Sequence, residues 1–190
     1  GEIKYKGKKL KIKNPEDGIK AGIAHITEDR QRLGLMLEHS ILENMTVVGL
    51  NKKIKRFFVN VKNHVSLVEP IAKDLNVKTS SMYKEVKFLS GGNQQKVVLG
   101  KWLFADADIF IFDEPTRGID VNSKTEFYKL MSSLTKQGKS IILISSDMPE
   151  LVSMSDRILV VRKGEISNEL MKNEITEEAI IKSALEENVL

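Results

Sequence analysis

No cysteine occurs in the 190 residues, which excludes disulfides and thiolate metal sites. The three histidines, His25, His39 and His64, are scattered and fit no ligand spacing, so they read as ordinary surface or core residues. No apolar run approaches the roughly 20 residues of a membrane helix, and no charged-then-apolar leader opens the chain. The expectation is a chain of the cytoplasm. No internal repeat, low-complexity tract or linker divides it. Aromatics are sparse, and only Tyr5 and the pair Phe57 and Phe58 stand among the basic residues, so a base-stacking platform for nucleic acid is not expected. The last absence concerns phosphate. A loop of the form G-x-x-x-x-G-K-[ST] is missing: the nearest approach, Gly138-Lys139-Ser140, has Ser133 where the first glycine would stand.

What is present suits one globular domain, with 41% hydrophobic and 29% charged residues. The net charge of +4 comes largely from Lys4, Lys6, Lys8, Lys9, Lys11 and Lys13 and from Lys52, Lys53, Lys55 and Arg56. The first set alternates with Ile3, Tyr5, Leu10 and Ile12, the pattern of a hairpin turning at Gly7 with a wet lysine face. Asn14-Pro15 opens a short helix that Ala21-Gly22 closes. Ile23 to Thr27 reads as a buried strand, Thr27 to Arg32 as a polar loop, and Ser40 to Met45 as a small helix capped by Ser40 with Glu43 three residues on. His64 to Asp74 is helical, with Val65, Leu67, Val68 and Ile71 as its apolar face, and another helix reaches about Ala105 with Val98, Leu99, Leu103 and a core Trp102.

Ile109 to Phe112 is an unbroken apolar run that suits a strand buried on both faces of a parallel sheet. A helix with Phe127, Leu130, Met131 and Leu134 inward stops at Gly138, and a second buried strand spans Ser140 to Ser145. A short helix from Met148 to Val152, a third strand from Arg157 to Val161 turning at Lys163-Gly164, and a capped helix from Thr176 complete the order. Strand and helix alternating in this way predict an α/β fold, a parallel-sheet core flanked by helices with an antiparallel edge hairpin.

Two stretches carry chemistry. Asp113 and Glu114 follow the apolar strand at its carboxyl end, where α/β sheets bind ligands. Asp113 can hold Mg²⁺ directly or through water, and Glu114 can orient or deprotonate a water attacking a phosphoryl group. In LSGGNQQK, Ser90 can cap a helix while Gly91 and Gly92 leave room for a phosphate at its positive N-terminal end.

LSGGNQQK, IFIFDEPTRGID, SSDMPEL and DRILVVRKG, in that order, resemble an ATP-binding-cassette (ABC) ATPase. More narrowly, LSGGNQQKVVLGKWL and DEPTRGIDV, preceded by AGIAHITEDRQRLGL, resemble the second cassette of the subunits that drive ribose-, xylose- and galactose-type sugar importers. The resemblance implies ATP and Mg²⁺ as cofactors, with Ser90, Gly91, Gly92 and Asn93 on the γ-phosphate, Asp113 on the metal, Glu114 on the hydrolytic water and Asp120 at the contact between cassettes. Glu28 stands where the Q-loop glutamine is expected and Ser146 where the switch histidine is expected, departures that imply a weaker composite site on this chain's own Walker B strand. It further implies one nucleotide-binding domain over residues 1–190, with a helical signature subdomain at about 35–105 and a RecA-like core, starting after the Walker A segment. Implied partners are a second cassette in the same polypeptide, membrane permeases met through the region around Glu28 to Met45, and indirectly a sugar-binding protein, all at the cytoplasmic face of the membrane and without nucleic acid. A nucleic-acid-associated cassette ATPase and a non-catalytic partner domain are the alternative readings.

Overall fold

The computed structural model describes residues 1–50 and 61–185; the basic cluster at 52–56 and the phenylalanines at 57 and 58 lie outside them. The chain forms two compact units, Gly1–Ile142 and Leu143–Leu190.

The first unit opens with strands β1 (Ile3–Tyr5) and β2 (Lys8–Leu10), antiparallel with Ile3 opposite Leu10. Lys6 and Gly7 at φ 49° and 73° make the left-handed two-residue turn that such hairpins favour. The hairpin is a two-stranded sheet by itself rather than an edge of the parallel sheet. Side chains anchor it: the Tyr5 hydroxyl donates to Asp108 Oδ2 at 3.0 Å, and Lys139 Nζ reaches Oδ1 of the same carboxylate at 2.8 Å. Lys139 foremost, with Tyr5 and Lys6, holds the Asp108 carboxyl down to about 2 from an ordinary 3.8. A depressed carboxylate stabilises the fold above its unfolded value, and that contribution is lost as pH falls through the folded one. Asp108→Asn is therefore expected to lower stability at neutral pH and to flatten the loss between about pH 4 and about pH 2, read by urea denaturation across that range.

Helix α1 (Pro15–Lys20) is capped by Asn14, whose Oδ1 accepts from Asp17 N at 3.0 Å, and Gly22 at φ 79° turns the chain into β3 (Ile23–Ile26). Beyond β3 the expected polar loop is instead a wide π turn, Arg30–Gly34, started by Asp29, which accepts from Arg32 N. Helix α2 (Ile41–Thr46) has the expected reciprocal cap between Ser40 and Glu43. Helix α3 (Val61–Asp74) buries Val68 and Ala72, with Val65 and Ile71 half-buried beside them, but turns Leu67 outward, against the face read in the sequence. A 3₁₀ turn, Val86–Phe88, leads into α4 (Gly91–Phe104). Within α4, Phe104, Val97, Val98 and Leu99 occupy the core, while Trp102 is only half-buried, against expectation. The ring of Trp102 instead lies under the Lys101 ammonium, 5.8 Å from it.

Strand β4 (Ile109–Asp113) pairs in parallel with β3, Ala24 opposite Phe110 and Ile26 opposite Phe112. Phe110 and Phe112 are fully buried, whereas Ile109 and Ile111 on the other face are only half-buried. Helix α5 (Val121–Lys136) buries Phe127, Met131 and Leu134 and ends at Gly138, φ 81°. Strand β5 (Ser140–Ile144) completes the order β3-β4-β5. Its Ile142 and Ile144 are exposed, so the second strand is not the buried one expected.

In the second unit, α6 (Met148–Met154) is capped by Asp147, whose Oδ1 accepts from Glu150 N at 3.2 Å. Strand β6 (Arg157–Arg162) does not extend a parallel sheet; it pairs antiparallel with β7 (Glu165–Met171), a strand absent from the sequence reading. Helix α7 (Glu177–Leu185) lies over this ribbon, with Ile180 among Ile158, Val160, Leu170 and Ile175.

Candidate functional site

Burial of Phe110 and Phe112 fixes the register that carries Asp113 to the carboxyl end of β4. Its Oδ2 lies 3.9 Å from His25 Nε2, whose residue sits on the neighbouring strand β3 and which composition alone marked as ordinary. Glu114 follows at φ 47°, a left-handed backbone that costs an unbranched non-glycine residue on the order of 1 kcal/mol. That bend turns the chain sharply out of the sheet, and Glu114 O accepts from Arg117 N at 3.1 Å as the loop folds back. Such strain at the end of a core strand is typical of functional loops.

The loop ends at Asp120, which caps α5. Its Oδ1 accepts from Ser123 N at 3.0 Å and its Oδ2 from the Ser123 hydroxyl at 2.7 Å, and these bonds hold the carboxyl below its ordinary range. Asp120→Ala is expected to lower the urea midpoint with an unchanged denaturant slope, the behaviour of a lost helix cap.

The first turn of α4 comes up against this loop. A Cβ on Gly91 would stand 2.6 Å from Arg30 Nη2 and 3.3 Å from Gly118 O, and one on Gly92 would stand 2.6 Å from Ser123 Oγ and 2.8 Å from Ser123 Cβ. Gly92 is therefore demanded by a contact within the chain, while a side chain at Gly91 would displace the Arg30 guanidinium and crowd Gly118 O, a reason the sequence did not disclose. Ser90 takes the backbone conformation of a cap, yet its hydroxyl does not cap; it accepts from Asn93 Nδ2 at 2.9 Å, while Asn93 Oδ1 holds Lys78 N at 2.8 Å. With no side chain capping α4 among the described residues, its positive end stays available to an anion.

Glu28 makes an ion pair with Arg117, and Arg30 Nη1 donates to Arg117 O at 3.1 Å. Burial pulls the Arg30 guanidinium below its ordinary pKa against the smaller opposing pull of Asp29. Further back, Gln31 Nε2 donates to Gln94 Oε1 at 3.1 Å, and Gln94 Nε2 to Val86 O at 3.3 Å. The structure thus gathers Glu28, Ser90 to Asn93 and Asp120 around the Arg117-Gly118 loop, with Asp113 and Glu114 at the start of that loop. Ser146 belongs to the second unit, one residue before the α6 cap. Arg30, Arg117 and Ser123 were not singled out in the sequence. Their only sign there was position, inside the polar Thr27 to Arg32 stretch and around DEPTRGID.

Among solved structures, an ATP-binding cassette in a dimeric post-hydrolysis state bound to ADP and Pi superposes with a TM-score of 0.74 at 19% identity, covering 90% of this chain and 73% of that one. A nucleotide-free cassette from an ABC transporter gives 0.74 at 20% identity, covering 96% and 76%. The fold is that of an ATP-binding cassette, a parallel-sheet core flanked by helices with antiparallel hairpin strands. Residues 1–117 match the ABC transporter family, and the chain belongs to it. It is 50% identical over 181 residues to the ribose import ATP-binding protein RbsA of Oceanobacillus iheyensis, covering 95% of this chain and 36% of that protein. It is 45% identical over 184 residues to the xylose import ATP-binding protein XylG of Geobacillus kaustophilus, covering 97% and 36%. The chain spans little more than a third of the length of these curated relatives.

Proposed function

We propose that this chain is a nucleotide-binding domain of a monosaccharide importer, and that its LSGGN turn closes on the γ-phosphate of ATP held by another cassette. The uncapped first turn of α4, standing on two glycines beside the Asp120 loop, is the observation that carries this reading. No G-x-x-x-x-G-K-[ST] loop lies within these residues, so the phosphate cradle for that ATP comes from outside them. Ser90 to Asn93 would present N–H groups and the positive helix end to the phosphate, and Asp120 would sit at the seam with the partner. The names of the ribose and xylose import relatives support the transported class.

The residues present fit Mg²⁺. Asp113 offers half-exposed carboxylate oxygens at a strand end, and this ion needs only one or two protein carboxylates beside waters and phosphates. When bound with ATP it would neutralise charge on the transferring phosphoryl group. Glu114 would orient or deprotonate the attacking water. With Glu28 tied to Arg117 and Ser146 in place of a histidine, the site built on this chain's own Asp113 and Glu114 is the weaker of the two in the assembled pair. In this reading about 35–105 would be the helical signature subdomain and the remainder a RecA-like core. Membrane permeases met through the region around Glu28 to Met45, a second cassette in one polypeptide and an upstream sugar-binding protein complete the assembly, which acts at the cytoplasmic face.

Calorimetric titration of MgATP into this chain is expected to give no binding, and adding a cassette that carries the phosphate loop is expected to produce an ATP-dependent complex that Gly92→Glu prevents. Tight binding to the chain alone would overturn the division of the site between two cassettes.

A further inference from the structure

Arg30 has no role of its own in the proposed function, although it lies in the stretch from Glu28 to Met45, yet its side chain stands between the first turn of α4 and the Arg117-Gly118 loop. Its Nη1 donates to Arg117 O at 3.1 Å, its Nη2 lies 2.6 Å from where a Cβ on Gly91 would stand, and its Nε is buried without a partner. The π turn that carries it is held to α4 at two further points. Gln31 donates to Gln94, and Lys101 Nζ donates to Gly34 O at 2.6 Å. Gly34 is pressed so close to Val98 that a Cβ there would stand 3.3 Å from Cγ2. The same loop reaches the Asp120 side through the Glu28–Arg117 pair. A guanidinium suits this place because its planar fork can donate through one arm, here to Arg117 O, while the other arm fills the space beside Gly91, which a lysine ammonium on its single stem does not do.

We infer that Arg30 is a positioning residue that locks the first turn of α4 to the Arg117-Gly118 loop, so that the Gly91 to Asn93 donors and Asp120 keep one fixed spacing. Gly91 is the matching half of the device, since a side chain there would have to displace the guanidinium from its place beside α4. The consequence for turnover rests on the ATPase reading above; the lock itself does not.

Hydrogen exchange on the full chain tests the lock without nucleotide. Arg30→Ala is expected to speed amide exchange in 89–96 and 115–120 by about tenfold, the size of one lost charge-assisted hydrogen bond, while β4 keeps its protection. Arg30→Lys is expected to show the same local loss, and Gly91→Ala to reproduce it in the wild-type chain but to add less in the Arg30→Ala chain, where only the crowding against Gly118 O remains. Unchanged exchange in both segments, rescue by lysine, or additive effects of the Arg30 and Gly91 changes would overturn the inference. Should Arg30→Ala loosen β4 as well, the lysine variant and the Gly91 pair decide the matter by the same criteria. In the assembled ATPase, Arg30→Lys is expected to lower kcat by about tenfold with KM for MgATP within about twofold, because alignment is lost and not nucleotide affinity. A wild-type assembly that hydrolyses no ATP would sink the ATPase reading and leave the exchange result standing.

Discussion

Gly92→Glu is expected to cut MgATP turnover of the assembled ATPase by on the order of a hundredfold or more, comparable to losing a donor that stabilises transition-state charge. Two effects combine. A new Cβ meets Ser123 at 2.6 Å to Oγ and 2.8 Å to Cβ, which forces α4 away from the α5 cap. The carboxylate then stands at the positive helix end, where on the proposed reading it would take the place of a phosphate and repel it. An acid near a helix N-terminus favours the helix itself, so melting of α4 is not the cause of the loss. Gly92→Ala separates the two effects: it carries the clash without the charge, and Ser123→Gly in the same chain should relieve it. On the proposed division of sites, Glu114→Gln should have a smaller effect than Gly92→Glu, because Gly92 would serve the competent site and Glu114 the weaker one. Steady-state hydrolysis at saturating MgATP decides this. Full activity in Gly92→Glu would remove the glycine turn from the active site, and a larger loss in Glu114→Gln would reverse the ranking of the sites.

Phe112→Ala should destabilise the first unit by about 3–5 kcal/mol, the usual cost of deleting a buried phenyl ring. The ring is fully buried, with Phe110 at 6.0 Å between centroids and Phe127 edge-on at 5.5 Å. That geometry adds attraction beyond the area buried. A domain of this size is stable by about 5–15 kcal/mol, so the variant should unfold at a much lower urea concentration. Phe112→Leu, which keeps most of the volume, should recover much of the loss. A midpoint unchanged by the alanine substitution would mean that β4 is not the centre of the core.

Signals confined to a few residues were legible in the sequence. Asn14, the Ser40 and Glu43 pair, the turn at Gly7 and the stop at Gly138 each act through neighbours in the chain, and each stands where it was read. The apolar run Ile109 to Phe112 marked β4 because Phe110 and Phe112 are core residues, although Ile109 and Ile111 are only half-buried and the strand is not covered on both faces as expected. What escaped depends on distant partners. Helix α4 buries every residue from Gln94 to Gly100, amides and Lys96 included, so it presents no single apolar face from which to rank Trp102 against Phe104. Strand β7, with Glu165, Ser167, Asn168 and Glu169 among its seven residues, has too little apolar character to be seen without β6 beside it. For the candidate site, the motif strings were visible, whereas the Arg30 contacts span 61 and 87 positions and leave no trace in spacing.

Helix α4 begins without the reciprocal side-chain cap that closes α2. A helix in this condition is an unfinished object, and the group that completes it has to arrive from outside. Whatever anion docks there becomes in effect its missing N-terminal residue. By mass action the fraying of Gly91 to Asn93 would then report how much of that anion is bound.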